Sequence, residues 1–180
     1  MTIDIYKRNC REFRSHGDGD LKSAKFAKLG KKVIFEKGVH VFHSEHIEIG
    51  NNVYVGHQAY LKAYYINKLV IGYNVWIGQL AFLHAGGGIT IEDGVGIGPY
   101  VKILTLTHME TARDIPILYN DQEYKSVKIE YGVDIGIGSI ILPRVVIGRN
   151  SIIGAGSVVT KNIPAYSVAA GVPAKVIRKR

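Results

Sequence analysis

Among the seven histidines, His108 stands where a regular pattern gives way to a polar stretch. An imidazole with a pKa near ~6.5 can take a proton from a hydroxyl or amine at neutral pH, a contribution of about 10²–10⁴ in rate. The residue alone leaves two readings open, a general base at the mouth of a flap and a surface histidine without a role. The stretch that follows, about 109–128, holds Arg113, Asp114, Tyr119, Asn120, Asp121, Glu123 and Tyr124. Aromatic faces and carboxylates on a flap suit a sugar, whose hydroxyls want acceptors and whose C–H face wants a flat apolar surface. Loops are polar in any case, so composition does not decide this. His40, His43 and His46 have a spacing that could hold a metal, but no helical pattern puts them on one face. Cys10 is the sole cysteine, which excludes an internal disulfide and a multi-cysteine zinc site. The run Gly86-Gly87-Gly88 matches neither a P-loop nor a dinucleotide fingerprint and suits close backbone approach.

The element that must position these groups is written in the aliphatic residues. Ile129, Ile135, Ile141, Ile147, Ile153 and Val159 stand six apart, as do Ile91, Ile97 and Ile103, then Ile71, Ile77 and Leu83, then Ile49, Val55 and Leu61. Glycine follows the aliphatic at positions 50, 56, 72, 78, 98, 136, 148 and 154. A helix of 3.6 residues per turn cannot keep a six-residue register on one face. A coil of three six-residue sides can, with each aliphatic turned to the axis and each glycine easing a corner through an unusual φ. The expected fold is an all-β parallel β-helix, a hexapeptide-repeat solenoid.

Departures from an 18-residue coil say where something is added. Ile49 to Ile71 is 22 residues, which implies a bulge near 63–68, and Ile71 to Ile91 is 20, which places two extra residues at the triple glycine. Ile91 to Ile129 is 38, so about 20 residues leave as the protruding loop at 109–128, a length that is usually functional. By the same counting His57 and Gln79 share one column, and His84 stacks on Leu104, about 13 Å along a straight side from His108 at ~3.3 Å per residue. Residues 1–30 are expected to form a helical cap, 31–164 the β-helix, and 165–180 a basic cap ending in a short helix or tail.

Composition narrows the class. Glycine is 21 of 180 residues, about 12% against a usual ~7%. The net charge is +8 and no apolar run approaches the roughly 18 residues of a membrane helix. Residues 1–14 carry no apolar run for a signal peptide, so a soluble, cytoplasmic protein is expected. The basic residues spread over both ends without aromatic interleaving, which disfavours nucleic acid as a partner.

The repeats, the string from Thr90-Ile91-Glu92-Asp93-Gly94 to Thr107-His108, the run Ile153-Gly154-Ala155-Gly156-Ser157 to Lys161, and the ending Ala170-Gly171-Val172-Pro173-Ala174 resemble the hexapeptide-repeat acyltransferases. Galactoside- and maltose-type O-acetyltransferases and their polysaccharide-modifying relatives are the nearest in kind. The resemblance implies a left-handed helix, a homotrimer, and acetyl-CoA as co-substrate in clefts between subunits, with no metal required. It implies His108 as general base; the acceptor is expected to attack directly, without an acyl-enzyme, because Cys10 is the only thiol and lies outside the repeats. It places Ala155 and Gly156 along the pantetheine arm, Thr160, Lys161 and Arg178 near the nucleotide, and Gln79 where an asparagine meets the acceptor. Asp114, Tyr119 and Tyr124 are the expected acceptor residues on the loop. Asp134 stands where such enzymes often have tryptophan, and Ile137 where they often have serine. The acceptor implied is a sugar or nucleotide sugar in bacterial polysaccharide or sugar-nucleotide biosynthesis. Two other readings stay open: a γ-carbonic-anhydrase-like metal-dependent hydratase, which would need a histidine partner close to His108, and a non-catalytic β-helix scaffold.

Overall fold

The structure, a computed structural model, describes residues 18–111 and 113–180. Cys10 and most of the expected N-terminal cap lie outside them. Short parallel strands stack into three faces of a left-handed β-helix, with six strands on the first face, eight on the second and six on the third. The inward stack of the first face runs Leu29, Ile49, Ile71, Ile91, Ile129, Ile147 in register. Those on the second and third faces run through Val55, Ile77, Ile97, Ile135, Ile153 and through Leu61, Leu83, Ile103, Ile141, Val159. From Ile49 onward these side chains are 2% exposed or less, so one continuous aliphatic column is the core. Branched chains fit it because each coil strand up to Val159 is only two or three residues long and mainly its inward residues are buried.

The glycines act differently from expectation. None of the eight that follow the aliphatics has a positive φ. Their missing Cβ instead admits the next coil: one built on Gly56 would stand 2.7 Å from the backbone nitrogen of Gln79, and one on Gly136 2.6 Å from that of Ala155. Left-handed backbone falls two residues later, at Gln58, Leu80, Tyr100, Gly138 and Gly156 along one corner, with φ between 57° and 71°.

Both ends depart from the expected caps. Residues 21–23 form only a 3-10 turn, and Lys28–Leu29 already pairs with the coil of Ile49, so the solenoid begins before residue 31. The C-terminal segment is neither helix nor tail. The chain reverses after Ser167–Gly171, and Ala174–Lys179 returns as an antiparallel strand on the last coil. Its consecutive Val176 and Ile177 favour a strand, and the edge of the second face offers a free ladder to pair with.

The long excursion is a β-hairpin of Leu106–His108 against Gln122–Tyr124. It leaves the coil three residues earlier than the loop expected at 109–128, and Val127–Ile129 is already back in the first face. Thr105 sets that boundary. Its buried hydroxyl donates to the His84 carbonyl at 2.6 Å and accepts from Gly87 N–H at 2.8 Å, and its carbonyl accepts from Lys125 N–H at 2.8 Å. One residue thus pins both feet of the hairpin to the coil below.

Candidate active site

Where the second face turns into the third, residues His57, Gln79, Pro99, Ile137 and Ala155 lie one above another. The register is fixed by Leu80 N–H to the His57 carbonyl, Tyr100 to Gln79, Gly138 to Pro99 and Gly156 to Ile137, each bond 2.8–2.9 Å long. Gln79 is half-buried, while Ala155 and Gly156 are exposed at the C-terminal end of the column. Open space lies where a Gly156 side chain would project, so the backbone there is free to meet a ligand. Beside this end the returning strand carries exposed Lys175, Arg178 and Lys179; Lys161 is exposed as well but follows Thr160 at the other corner. Arg178 donates to the Lys179 carbonyl at 3.0 Å.

His108 belongs to the opposite corner, where the third face turns into the first. In the hairpin it pairs with Gln122, as Leu106 pairs with Tyr124, and paired residues of alternating strands share one face. That face lies over the coil. Leu106 and Tyr124 cover Gly86, where an added Cβ would meet the Leu106 side chain at 2.8 Å, so the triple glycine does serve close approach. The Tyr124 hydroxyl donates to Gln122 Oε1 at 2.7 Å, and its ring lies 6.4 Å from Tyr64, which stands edge-on to His84 at 5.6 Å. Burial, then the neighbouring Tyr124 and Tyr65, push the Tyr64 phenol up. Burial pulls the Lys62 ammonium down, with the rings of Phe42 and Tyr64 each 5.6 Å from it. On the other side of the hairpin, Thr107 and Glu123 line a groove with Lys125, Arg144 and Thr160.

The expected site residues therefore fall into two groups. Gln79, Ala155 and Gly156 share the first corner, with Arg178 at its end; His108, Tyr124 and Thr160 share the second. Asp114 and Tyr119 stand out at the hairpin tip, where Asn120 does the organising. Its buried amide donates to the Met109 carbonyl at 2.8 Å and accepts from the Thr111 hydroxyl at 2.7 Å. From Pro99 to Thr105 the third face separates the corners by roughly 20 Å at ~3.3 Å per residue. No single copy brings the groups together.

Sequence reasoning missed Thr105 and Tyr64; it named Asn120 and His84 but gave neither a part in placing the hairpin. The straight side assumed between His84 and His108 fails because the chain leaves the coil at Thr105, and the hairpin faces the His84 neighbourhood. The repeated break at 85–88 and the buried character of Thr105 were the available signals. His40, His43 and His46 diverge. His40 stacks on Tyr60 at 4.7 Å, His43 packs on Tyr65 at 4.4 Å beside Glu45, and His46 closes a 3-10 turn. Among the described residues no three His, Cys, Asp or Glu side chains gather as a metal cluster. None of their helices is long and apolar enough to cross a membrane.

The coil and its sixfold repeat define a hexapeptide-repeat β-helix protein. Residues 126–161 match the family model for bacterial transferase hexapeptide (six repeats). The galactoside O-acetyltransferase of Escherichia coli is 36% identical over 159 residues, which cover 86% of this chain and 64% of that protein. A putative acetyltransferase of Schizosaccharomyces pombe is 46% identical over 92 residues, 51% of this chain and 43% of that one. Among solved structures, the N-acyltransferase AntD of Bacillus cereus, in complex with dTDP and coenzyme A, superposes with a TM-score of 0.79 at 28% identity, covering 91% of this chain and 89% of that one. A galactoside acetyltransferase in complex with coenzyme A gives 0.64 at 30% identity, over 86% and 65%. Part of the chain thus carries the bacterial transferase hexapeptide repeat, and the chain is similar to acetyltransferases and acyltransferases built on the same coil. Its matched span is less than two thirds of the length of these two sequence relatives.

Proposed function

We propose that the chain is an acetyl-CoA-dependent acetyltransferase acting on a hydroxyl or amine of a sugar-like acceptor, with His108 as general base. The observation that carries this is the continuous corner column from Ala155 to Gln79, flanked at one end by cations and at the other by polar side chains. Coenzyme A, a polyanion with an extended amide arm, matches that polarity, and relatives of the same fold bind it. A homotrimer supplies the rest. Cyclic association lays the His108 corner of one copy against the Ala155–Gln79 corner of the next, which joins the two groups that a single copy keeps apart.

In the cleft, His108 takes the acceptor proton as oxygen or nitrogen bonds to the thioester carbonyl carbon. The carbon–sulfur bond breaks, and the proton returns through the imidazole to the departing thiolate. The transfer is direct, since Cys10, the chain's one thiol, lies outside the repeats. Ala155 and Gly156 hold the arm, Thr160, Lys161 and Arg178 the nucleotide end, and Gln79 with the hairpin residues Asp114, Tyr119 and Tyr124 the acceptor. The setting is cytoplasmic sugar-nucleotide or polysaccharide biosynthesis in bacteria, and no metal takes part.

A panel of galactose, glucosamine and their nucleotide diphosphates, incubated with acetyl-CoA and followed by thiol release, tests this. Replacing His108 with Ala should lower kcat at least about 10²-fold while acetyl-CoA affinity stays near normal. Turnover near that of the parent would remove His108 from the mechanism. Absence of any coenzyme A binding would favour the scaffold reading.

A further inference from the structure

One pair of titratable side chains along the corner column has been given no role so far. Toward the N-terminal end of the corner column, one coil above Lys37, His57 Nε2 lies 3.4 Å from Glu36 Oε2. Burial, then the nearby Glu36 carboxylate, push the Tyr54 phenol up, and its ring stacks on Trp76 at 5.8 Å with the planes 6° apart. His57 is half exposed, 53% by side-chain area, and stands directly beside Gln79 in the column.

We propose that the Glu36–His57 pair anchors the acceptor, binding a hydroxyl or amine next to the group that is acetylated. This rests on the coenzyme A reading above, and the column supplies the measure. From its phosphate ester to its sulfur the arm of coenzyme A has about twelve bonds, as many as four residues of extended backbone, and so spans about 14 Å at most. Successive coils are ~4.8 Å apart, so three spacings, from Ala155 to Gln79, come to about 14 Å. An arm held by cations at the Ala155 end can run only toward the N-terminus, because the coil ends at the returning strand. Its sulfur then reaches no further than Gln79, and the next coil, that of His57, meets the acceptor and not coenzyme A.

The chemistry of the pair suits that place. A carboxylate beside Nε2 draws the ring proton to that nitrogen, which leaves Nδ1 as a hydrogen-bond acceptor for an O–H or N–H. Glu36 acts through His57 and is a positioning residue. The plain alternative is a surface ion pair, which contributes little to anything.

The test uses full-length protein and whichever of galactose, glucosamine and their nucleotide diphosphates turns over. Losing one hydrogen bond of roughly 1–1.5 kcal/mol corresponds to about a five- to tenfold rise in acceptor KM for His57→Leu. The kcat should stay within about twofold, and acetyl-CoA affinity and melting temperature should not move. His57→Asn can place an amide oxygen where Nδ1 stood and should restore most of the loss, while Glu36→Gln should fall between. An acceptor KM unchanged in His57→Leu, or raised equally in His57→Asn and His57→Leu, overturns the anchor while leaving the proposed function standing. A parent protein that binds no coenzyme A overturns both.

Discussion

The hairpin can be removed and the coil kept, because its feet already touch. Leu106 and Tyr124 are paired across the two strands, so residues 107–123 can be replaced by Asn-Gly, the two-residue turn that suits such a pair. Cutting a 17-residue connection to two is about three halvings of loop length, favourable by about 2 kcal/mol at ~0.6 each. Against this stand the lost pairs Thr107–Glu123 and His108–Gln122, at roughly 0.2–1 kcal/mol each. The bonds of Asn120 lie within the excised segment and cancel. Net stability should move by no more than about 1–2 kcal/mol, or about 2–8 °C in melting temperature for a chain of this size. Thermal melting by circular dichroism checks the fold, calorimetric titration with acetyl-CoA checks the column, and thiol release checks transfer. A folded protein that binds coenzyme A and transfers nothing is the expected result. Unfolding would show that the hairpin is a wall of the solenoid, and transfer at the parental rate would remove His108 and the flap from catalysis.

Light scattering should give a trimer, and a fully active monomer would refute the shared cleft. Gly136→Ala should cost about 1–3 kcal/mol, since its Cβ meets backbone of the next coil, whereas Gly138→Asn should be nearly neutral, with nothing within 4 Å and a left-handed φ that asparagine tolerates. Equal losses by chemical denaturation would refute that distinction. Glu92 is held below the usual carboxylate range by its bond to Lys128, with help from Tyr131 N–H. Its contribution is therefore present above the ordinary carboxylate pKa and is lost as pH falls through the lowered folded value, and Glu92→Gln should flatten the acid limb of a stability–pH curve. A curve of unchanged shape would refute this.

Coil length and inward register were legible because an aliphatic residue every sixth place has one physical solution. The bulge at 63–68 and the two extra residues at the triple glycine follow from the same counting. What failed to show was local. Leu106 continues the apolar character of the third face, so periodicity alone could not say that the chain had already left. The glycines signalled a tight place without saying whether φ or distance made it tight, and the backbone shows distance. The C-terminal strand was hidden by its charges, which read as a solvated tail although Val176 and Ile177 favour a β edge. The split of the site over two corners follows from the coil count once His108 and Ala155 are placed on their sides. The aromatic neighbourhood under the hairpin could not be counted, because it depends on how an excursion folds back.

Stacking by coils also restricts how such a protein can diverge. Along the axis, distance comes only in whole steps: one more coil means 18 more residues and moves everything beyond it by one strand spacing. The span between the cationic end and His57 is therefore a ruler marked in units of ~4.8 Å, too coarse to be tuned by single insertions. The hairpin obeys no such quantum, since residues can be added between Leu106 and Tyr124 one at a time while Thr105 keeps its feet in place. Reach toward the thioester is inherited in fixed increments, and the choice of acceptor is free to vary continuously.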